Sequence, residues 1–174
     1  MLDLLRQRRS VRVFKPQPVE AEKIDALTES LLRSPTSRNL QPCTFVIIQE
    51  RHLLDQLINA KLHGTTFFST APLAVVIAAD PSVSDVWIED AAVAATIVQL
   101  VAEDLGLKSC WAQLRSRQHS DVVSASEYVR SLVGLPEGME VPMVIAVGYP
   151  DEKKAGHPAR ALRTAKIHLE RFND

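Results

Sequence analysis

The stretch from residue 87 to residue 106, WIEDAAVAATIVQLVAEDLG, constrains the fold more than any other part of the chain. From Ala91 to Ala102 it carries no charge, and its polar residues there are Thr96 and Gln99. Alanine, leucine and glutamine favour helix, and no helix breaker occurs before Gly106, so the pattern predicts a helix that ends there. A helix that is apolar on all sides has to be buried on all sides.

This apolar helix is too short to span a bilayer, which needs about 18–20 apolar residues. A chain of 174 residues has room for one domain with a substantial core, but a domain of that size seldom surrounds a helix completely. We therefore expect a central helix with a sheet or other helices on one side and a second subunit on another. A core helix of a monomer is the alternative that this stretch leaves open.

The charge balance excludes the classes of function that depend on a strong net charge. The chain has 20 basic and 21 acidic residues, so its formal net charge is −1, and we expect no nucleic-acid or membrane partner. The N-terminus lacks the apolar core of a signal peptide, and Cys43 and Cys110 both lie in apolar, strand-like runs. Two free thiols are typical of a reducing compartment, so we expect a cytoplasmic protein.

Hydrophobic patterns along the chain predict a mixture of helices and strands. Apolar residues at helical spacing predict helices at 20–33, 51–59, 87–106 and 124–132. Short apolar and β-branched runs predict strands at 43–49, 73–79, 108–114 and 141–147. This mixture, with the longest helix at its centre, indicates an α+β layered domain. The polar and basic tail that follows either wraps a partner or is partly mobile.

Residues 4–19 contain no acid and concentrate basic side chains, before Pro16 and Pro18 interrupt the segment. Arg8, Ser10 and Arg12 alternate, so an extended backbone would place all three on one side. Guanidinium groups together with a hydroxyl are the donors that a phosphate or another oxyanion needs. A solvated basic face is the alternative interpretation of this run.

A second polar stretch, SPTSRNLQP at residues 34–42, has proline near both ends and amide or hydroxyl side chains between. This composition predicts a loop that can hydrogen-bond a ligand, with a plain surface turn as the alternative. The chain lacks the dinucleotide-binding, P-loop, zinc-ligand and serine-hydrolase motifs. Spacing leaves a Cys–His nucleophile pair open, although Cys43 and Cys110 have the surroundings of core residues.

Four stretches in a fixed order together resemble a known family. They are RRSVR at 8–12, SPTSRNLQP at 34–42, WIEDAAVAATIVQLVAEDLGLKSCW at 87–111 and GLPEGMEVPMVIAVGYP at 134–150. In this order and spacing the chain resembles the compact form of the FMN-dependent nitroreductase family, over residues 5 to about 172.

The resemblance implies an α+β sandwich in which a mixed sheet is flanked by helices. It further implies one FMN-binding domain over residues 1–174, in a homodimer with two FMN sites at the subunit interface. The long central helix would lie at that interface. Residues 151–174 would form a C-terminal arm that extends over the partner subunit.

The resemblance also implies a set of cofactor-binding residues. In the family, an N-terminal Arg-x-Ser-x-Arg motif contacts the flavin phosphate, ribityl chain and ring. A Pro-x-Ser-x-Asn-x-Gln-Pro loop comes from the other subunit, and the segment after the central helix lies near the flavin. The residues implied for this chain are Arg8, Arg9, Ser10, Arg12, Pro35, Ser37, Asn39, Gln41, Trp111, Ala112, Gln113, Gly148 and Arg160.

The tail residue that holds the phosphate stays open within this resemblance. In the family, a pair of basic residues after the Gly-Tyr-Pro turn often binds the phosphate, and Arg160 matches one residue of that pair. Pro158 stands where the lysine partner is expected. Lys153, Lys154 or Arg163 can substitute for that lysine.

The implied activity is oxidoreduction carried by the cofactor, which agrees with the lack of a catalytic constellation in the sequence. In the family, NAD(P)H gives a hydride to flavin N5 and leaves, and a nitroaromatic, quinone or similar acceptor then enters. Arg12 is the candidate cation near the flavin N1 and O2. One alternative is a dehalogenase-like or flavin-degrading enzyme, although the span between Ile58 and Pro72 leaves little room for a lid. The other is a protein that binds FMN without turnover, as a reservoir or regulatory module.

Overall fold

The computed structural model describes residues 1–172, and the last two positions of the predicted arm lie outside them. The helices are α1 (Leu2–Gln7), α2 (Ala21–Leu32), α3 (Arg51–Leu57), α4 (Trp87–Asp104) and α5 (Ala125–Leu132). The strands are β1 (Cys43–Ile48), β2 (Leu73–Ala79), β3 (Lys108–Gln113) and β4 (Glu140–Gly148). Short 3₁₀ turns lie at Ser37–Asn39, Thr66–Ser69, Ala159–Ala161 and Thr164–Lys166. Each predicted helix and strand is confirmed to within two residues at either end, and α1 is an addition.

The strands of residues 1–172 form one sheet in the order β1-β2-β4-β3, and all neighbouring strands are antiparallel. A parallel pairing occurs outside these strands, at the bridge between Ser10 and Ser109. In the described chain, the mixed character that the resemblance implied is confined to this bridge. Strand β2 and nearly all of β4 are buried on both faces, which explains their uninterrupted apolar sequences.

Helices cover both faces of the sheet and give the predicted α+β sandwich. Helices α2 and α4 pack on one face, where Leu27 and Leu31 meet Val75 and Ile145 of the central strands. Helices α3 and α5 and the turn Thr66–Ser69 pack on the other face. The N-terminal segment and β1 therefore lie at opposite edges of a sheet that is closed above and below.

Helix α4 is central but is not buried on all sides within one chain. Small side chains of α4 line the core, and Ala95 and Val98 have no exposed surface. On the opposite side Val93 is 38% exposed and Ile97 is partly exposed. One chain therefore covers α4 from one side, as expected for a domain of this size, and a second subunit on the other side stays a prediction. None of the helices in residues 1–172 is long and apolar enough to cross a membrane.

The end of α4 confirms the role expected of Gly106, which directs the chain back into the sheet as β3. Its φ is +75°, a conformation that glycine adopts without strain. The amide of Gly106 donates to the carbonyl of Glu103 at 3.1 Å, and that of Leu107 to Ala102 at 2.8 Å. These two bonds form a Schellman motif.

Candidate cofactor site

The basic N-terminal segment, residues 8–15, is extended and lies against β3 and β4. The Val11 amide donates to the Ser109 carbonyl at 3.1 Å, and the Lys15 amide donates to Tyr149 at 2.9 Å. Val11 and Phe14 are buried, at 2% and 3% exposure. Arg8 and Ser10 face one cleft, whereas Arg12 does not line it, so the placement of all three on one side stays a prediction. Beyond Arg12 the alternation shifts by one residue, because Phe14 rather than Val13 is buried.

Three of the implied residues line one cleft of ≈ 320 Å³ between α1, α4 and β3. Arg8 and Ser10 come from the N-terminal segment, and Trp111 comes from β3. Thr96 and Gln99 of α4 line the same cleft. Arg8, Ser10 and Trp111 are each partly exposed, so their polar groups are accessible to a ligand. The structure thus brings together parts of the site that are about 100 residues apart in sequence.

The beginning of the tail packs along the basic segment and places one tail cation, Lys154, beside it. The Lys154 ammonium donates to the Ser10 carbonyl at 3.3 Å and to Glu152 at 2.7 Å. The Arg9 guanidinium donates to the Ala155 carbonyl at 2.6 Å. Among the tail cations considered for the phosphate, Lys154 is the one that these contacts bring to Ser10.

Gly156 shows how closely this part of the tail approaches the N-terminus. A Cβ atom at that position would lie 1.7 Å from the Arg6 carbonyl oxygen, so a larger residue cannot replace it without moving the tail. Arg160 lies further along, in the exposed turn Ala159–Ala161, and Arg163 precedes the turn Thr164–Lys166. Lys153 is exposed. The docked part of the tail therefore provides Lys154 rather than these three cations.

Glu152 organises the contact between the tail and the basic segment. Its carboxylate accepts the Arg12 backbone N–H at 2.5 Å and the Lys154 ammonium at 2.7 Å. These hydrogen bonds hold the pKa of Glu152 below its ordinary value, and the bond from the Arg12 amide is the larger cause. Glu152 thus stays ionised and keeps Lys154 beside Ser10.

Lys61 is a further cation whose charge reaches β3, and no sequence pattern pointed to it. The pKa of Lys61 is lowered by burial and then by the positive charge of Arg117. The charges of Arg12, Lys154 and Lys61 all lower the pKa of the Cys110 thiol, against the larger effect of burial. Lys61 lies in a stretch without helical or strand periodicity, which is why no pattern identified it.

The segment after α4 has mixed accessibility at the three positions implied for the flavin. The Trp111 indole N–H donates to the Gln113 side-chain oxygen at 3.0 Å, and both side chains are partly exposed. The Ala112 side chain is fully buried, so this residue can offer only its backbone. Gly148 has a packing reason instead, since a Cβ there would lie 2.6 Å from the Pro72 ring.

Residues 34–42, called the polar loop below, have an unusual backbone. Arg38, Asn39 and Gln41 have φ values of 52°, 54° and 50°, in the left-handed region that non-glycine residues rarely adopt. Asn39 and Gln41 are exposed. Pro35 is exposed as well, and Ser37 is partly buried. Strained backbone of this kind clusters at functional sites, which favours a ligand loop over a plain turn.

The structure does not bring the polar loop to the basic segment within one chain. The polar loop leads into β1 at Cys43, whereas Ser10 pairs with β3. Strands β1 and β3 are the two edges of the sheet. Three strand spacings of about 4.8 Å separate these edges by roughly 14 Å. The two groups of implied residues therefore occupy different sites on one chain.

The cysteines do not have the surroundings of catalytic nucleophiles. Burial, with a smaller effect of the Asp90 charge, raises the pKa of Cys43 to about 11. Burial also raises the pKa of Cys110. Both thiols are therefore protonated near neutral pH, which removes the reason to propose a Cys–His pair. Within residues 1–172, no group of three or more His, Cys, Asp and Glu side chains could hold a metal ion.

Comparison with known proteins finds similarity to nitroreductases along almost the whole chain. The model of the nitroreductase family matches residues 5–67 and 59–149. A solved FMN-dependent nitroreductase from Clostridium difficile R20291 is 38% identical, with a TM-score of 0.96 over 99% of this chain and 100% of that one. A protein of Archaeoglobus fulgidus, provisionally named NADH dehydrogenase/NAD(P)H nitroreductase, is 28% identical over 98% of both chains. A Thermus thermophilus NADH dehydrogenase is 24% identical over 95% of this chain and 93% of its own.

Proposed function

The chain belongs to the nitroreductase family, and from that premise we propose that it is an FMN-dependent oxidoreductase that takes electrons from NAD(P)H. The observation that carries the proposal is the basic segment beside the cleft that Arg8, Ser10 and Trp111 line. The Clostridium difficile relative, similar over its full length, is named as FMN-dependent, and this supports the choice of cofactor.

The donors at this cleft fit the chemistry of FMN. Arg8 and Arg9 can form bidentate hydrogen bonds to a phosphate, and Lys154 adds a positive charge near Ser10. Trp111 provides an aromatic surface, and Gln113 provides an amide. Reduced flavin carries negative charge at its pyrimidine edge, which a nearby cation stabilises, and the exposed guanidinium of Arg12 can supply that cation.

When bound, FMN supplies the redox chemistry, accepting a hydride at N5 from NAD(P)H and then reducing a nitroaromatic, a quinone or a similar acceptor in a ping-pong sequence. The protein's residues bind, orient and tune the flavin. Arg12 would stabilise negative charge at the pyrimidine edge, while Arg8 and Ser10 would hold the phosphate end. No side chain is required to act as a nucleophile or base.

A second copy of the chain completes the site in this proposal. The polar loop leads into one edge strand and the basic segment pairs with the other, and these edges are roughly 14 Å apart in one chain, so the loop serves the cofactor of a partner. The exposed side of α4, with Val93 and Ile97, provides an apolar surface for that partner. A homodimer with α4 at its interface accounts for both the unpartnered side of α4 and the divided site.

The whole chain acts as one FMN-binding unit in this proposal, and its tail forms an arm over the partner. Beyond Gly156 the described tail is largely exposed and carries four exposed apolar side chains, which are Leu162, Ile167, Leu169 and Phe172. Such side chains need a surface to cover them, and the partner subunit is the surface that the dimer offers. A cytoplasmic location remains the expectation from the charge balance and the free thiols.

A dehalogenase-like activity is less well supported than nitroreductase activity. The span between α3 and β2 is packed into the core rather than raised as a lid, since Phe68 and Ala71 have no exposed surface. A reservoir that binds FMN without turnover has the same site as the enzyme. The visible spectrum of the purified protein tests for FMN, and steady-state oxidation of NADPH with menadione tests for turnover. A yellow protein without turnover would favour the reservoir, and a protein that takes up no FMN would contradict both.

A further inference from the structure

The polar loop is held by a buried carboxylate. Asp90, in the first turn of α4, is 5% exposed. One of its oxygens accepts the Ser37 backbone N–H at 2.8 Å, and the other accepts the Ser84 hydroxyl at 3.1 Å. We propose that Asp90 is a positioning residue for the cofactor, because it holds the polar loop in the shape that presents Asn39 and Gln41. The inference rests on the function proposed above.

The two oxygens of Asp90 accept hydrogen bonds from the polar loop and from Ser84, and neither caps the N-terminus of α4. Helix α4 begins after Val86, and in the described chain no side chain caps its first turn. A buried carboxylate is unfavourable unless both oxygens are hydrogen-bonded, and here the loop and Ser84 provide those bonds. The positive end of the α4 dipole favours the charge at this position. Asp90 therefore links the start of the proposed interface helix to the polar loop.

The strained backbone of the loop needs such an anchor. Three non-glycine residues in the left-handed region persist only where the surroundings fix them. The Thr36 hydroxyl accepts a hydrogen bond from the backbone N–H of Gln41 at 3.0 Å, a contact within the loop itself. Arg38 pairs with Asp85, but these side chains are 64% and 76% exposed, and exposed pairs contribute little. Backbone bonds tie the two ends of the loop to Leu31 and Asp80. The partly buried bond from Ser37 to Asp90 connects the strained middle of the loop to α4.

The test is the affinity for FMN, measured by flavin fluorescence, in variants at two aspartates that both contact the loop. Removing a hydrogen bond to a charged group predicts that Asp90→Ala weakens FMN binding roughly tenfold or more. In Asp90→Asn, the amide oxygen can accept from Ser37 and the amide NH₂ can donate to Ser84, so we expect it to recover most of the affinity. Asp85→Ala, the matched control, should stay within about twofold of the wild type because its ion pair is exposed.

A double-mutant cycle separates positioning from a general loss of stability. If Asp90 acts through the loop, Asp90→Ala should cost little additional affinity once Asn39→Gly and Gln41→Gly together have removed the amides that the loop presents. Glycine suits the left-handed backbone at both positions, so this background adds no strain. Fold-changes that simply multiply when Asp90→Ala is added to this background would overturn the proposal.

A second variant covers the case in which Asp90→Ala does not fold. Ser37→Pro removes the donated N–H, while the extended backbone of Thr36 and the first position of a 3₁₀ turn both accept proline. It should weaken FMN binding as Asp90→Ala does, and by more than Ser37→Ala, which keeps that N–H and removes only the hydroxyl. Wild-type affinity in Ser37→Pro or Asp90→Ala would refute the positioning role alone. Failure of the wild-type protein to bind FMN would instead refute the proposed function.

Discussion

Glu152 arranges the cations of the basic segment without neutralising the most important one. Its carboxylate accepts the backbone N–H of Arg12, so the Arg12 guanidinium stays exposed and available to an anion. Lys154, in contrast, is held by Glu152 and by the Ser10 carbonyl. Lys154 is thereby fixed at one end of the Ser10–Arg12 segment, while the Arg12 guanidinium at the other end stays exposed. The sequence alone pointed to the N-terminal arginines as candidates for binding an anion. Lys154 could not be chosen among the tail cations in the same way, because its position beside Ser10 depends on how the tail folds back.

Replacing either arginine of the alternating motif should weaken FMN binding. Arg8→Ala and Arg12→Ala each remove a charge-assisted hydrogen bond, which contributes about 1.5–3 kcal/mol and predicts roughly ten- to a hundredfold weaker binding. The dissociation constant measured by flavin fluorescence checks this. Arg12→Ala should also lower the flavin reduction potential, because the cation that stabilises the reduced anion is gone, while Arg8→Ala should leave the potential unchanged.

Arg6→Ala and Lys15→Ala are the controls for these variants. Arg6 pairs with Asp3 on the exposed side of α1, and Lys15 contacts β4 through its backbone amide. Both should bind FMN as the wild type does. Equal and small effects at all four positions would mean that the segment is only a solvated basic face.

The lowered pKa of Glu152 predicts a defined dependence of stability on pH. Because folding lowers this pKa below its ordinary value of about 4.5, the carboxylate stabilises the protein above that value. The contribution is lost as the pH falls through the pKa of the folded state. Glu152→Gln should therefore be less stable than the wild type near neutral pH, and the difference in melting temperature should shrink in acid.

Melting curves of wild type and Glu152→Gln from about pH 7 to about pH 3 measure this difference directly. Glu137→Gln, an exposed glutamate in the turn before β4, controls for the substitution itself. A difference between wild type and Glu152→Gln that stays constant with pH would show that the tail contact does not depend on the charge.

At the level of helices and strands, burial decided what the sequence could predict. Strand β2 is buried along its whole length, so its apolar run had one interpretation. Helix α1 has six residues and none of them is buried, which is why the pattern missed it. The polar loop was predicted as a loop from its composition. Its left-handed backbone could not be predicted, because the loop is held by contacts with residues far along the chain, such as the bond from the Ser37 N–H to Asp90.

The polar loop should contribute to FMN binding and little to the stability of the folded chain. Asn39→Gly and Gln41→Gly remove the exposed amides while keeping a backbone that tolerates positive φ. Alanine at these positions would add strain and confuse the result. Each glycine variant should lose FMN more readily, by roughly tenfold or less for one neutral hydrogen bond, and melt as the wild-type apoprotein does. FMN dissociation and apoprotein melting curves measure the two effects, and wild-type FMN retention in both variants would show that the loop is only a turn.

At the scale of the whole molecule, the sequence alone does not identify the surface that covers the second side of α4. The composition of the helix required burial on all sides, and the chain supplies burial on the side of Ala95. A charged residue at Ala95 would therefore disrupt the fold of one chain and could not report on a dimer. Val93, on the exposed side, is the informative position.

In the proposed dimer, Val93→Asp should separate the subunits and give a folded monomer that has lost FMN. A carboxylate on the apolar side of α4 is accessible to water in one chain, where Val93 is 38% exposed, but would be buried without a partner in the dimer. Burial of an unpaired charge costs several kcal/mol, enough to separate subunits at micromolar concentration. The monomer lacks the polar loop of its partner, so FMN should dissociate with the subunits. Sedimentation with absorbance of both protein and flavin measures the two together, and Val122→Asp, at a valine that is 88% exposed, is the control. A Val93→Asp protein that remains dimeric, or a monomer that keeps FMN as the wild type does, would contradict a cofactor site shared between two chains.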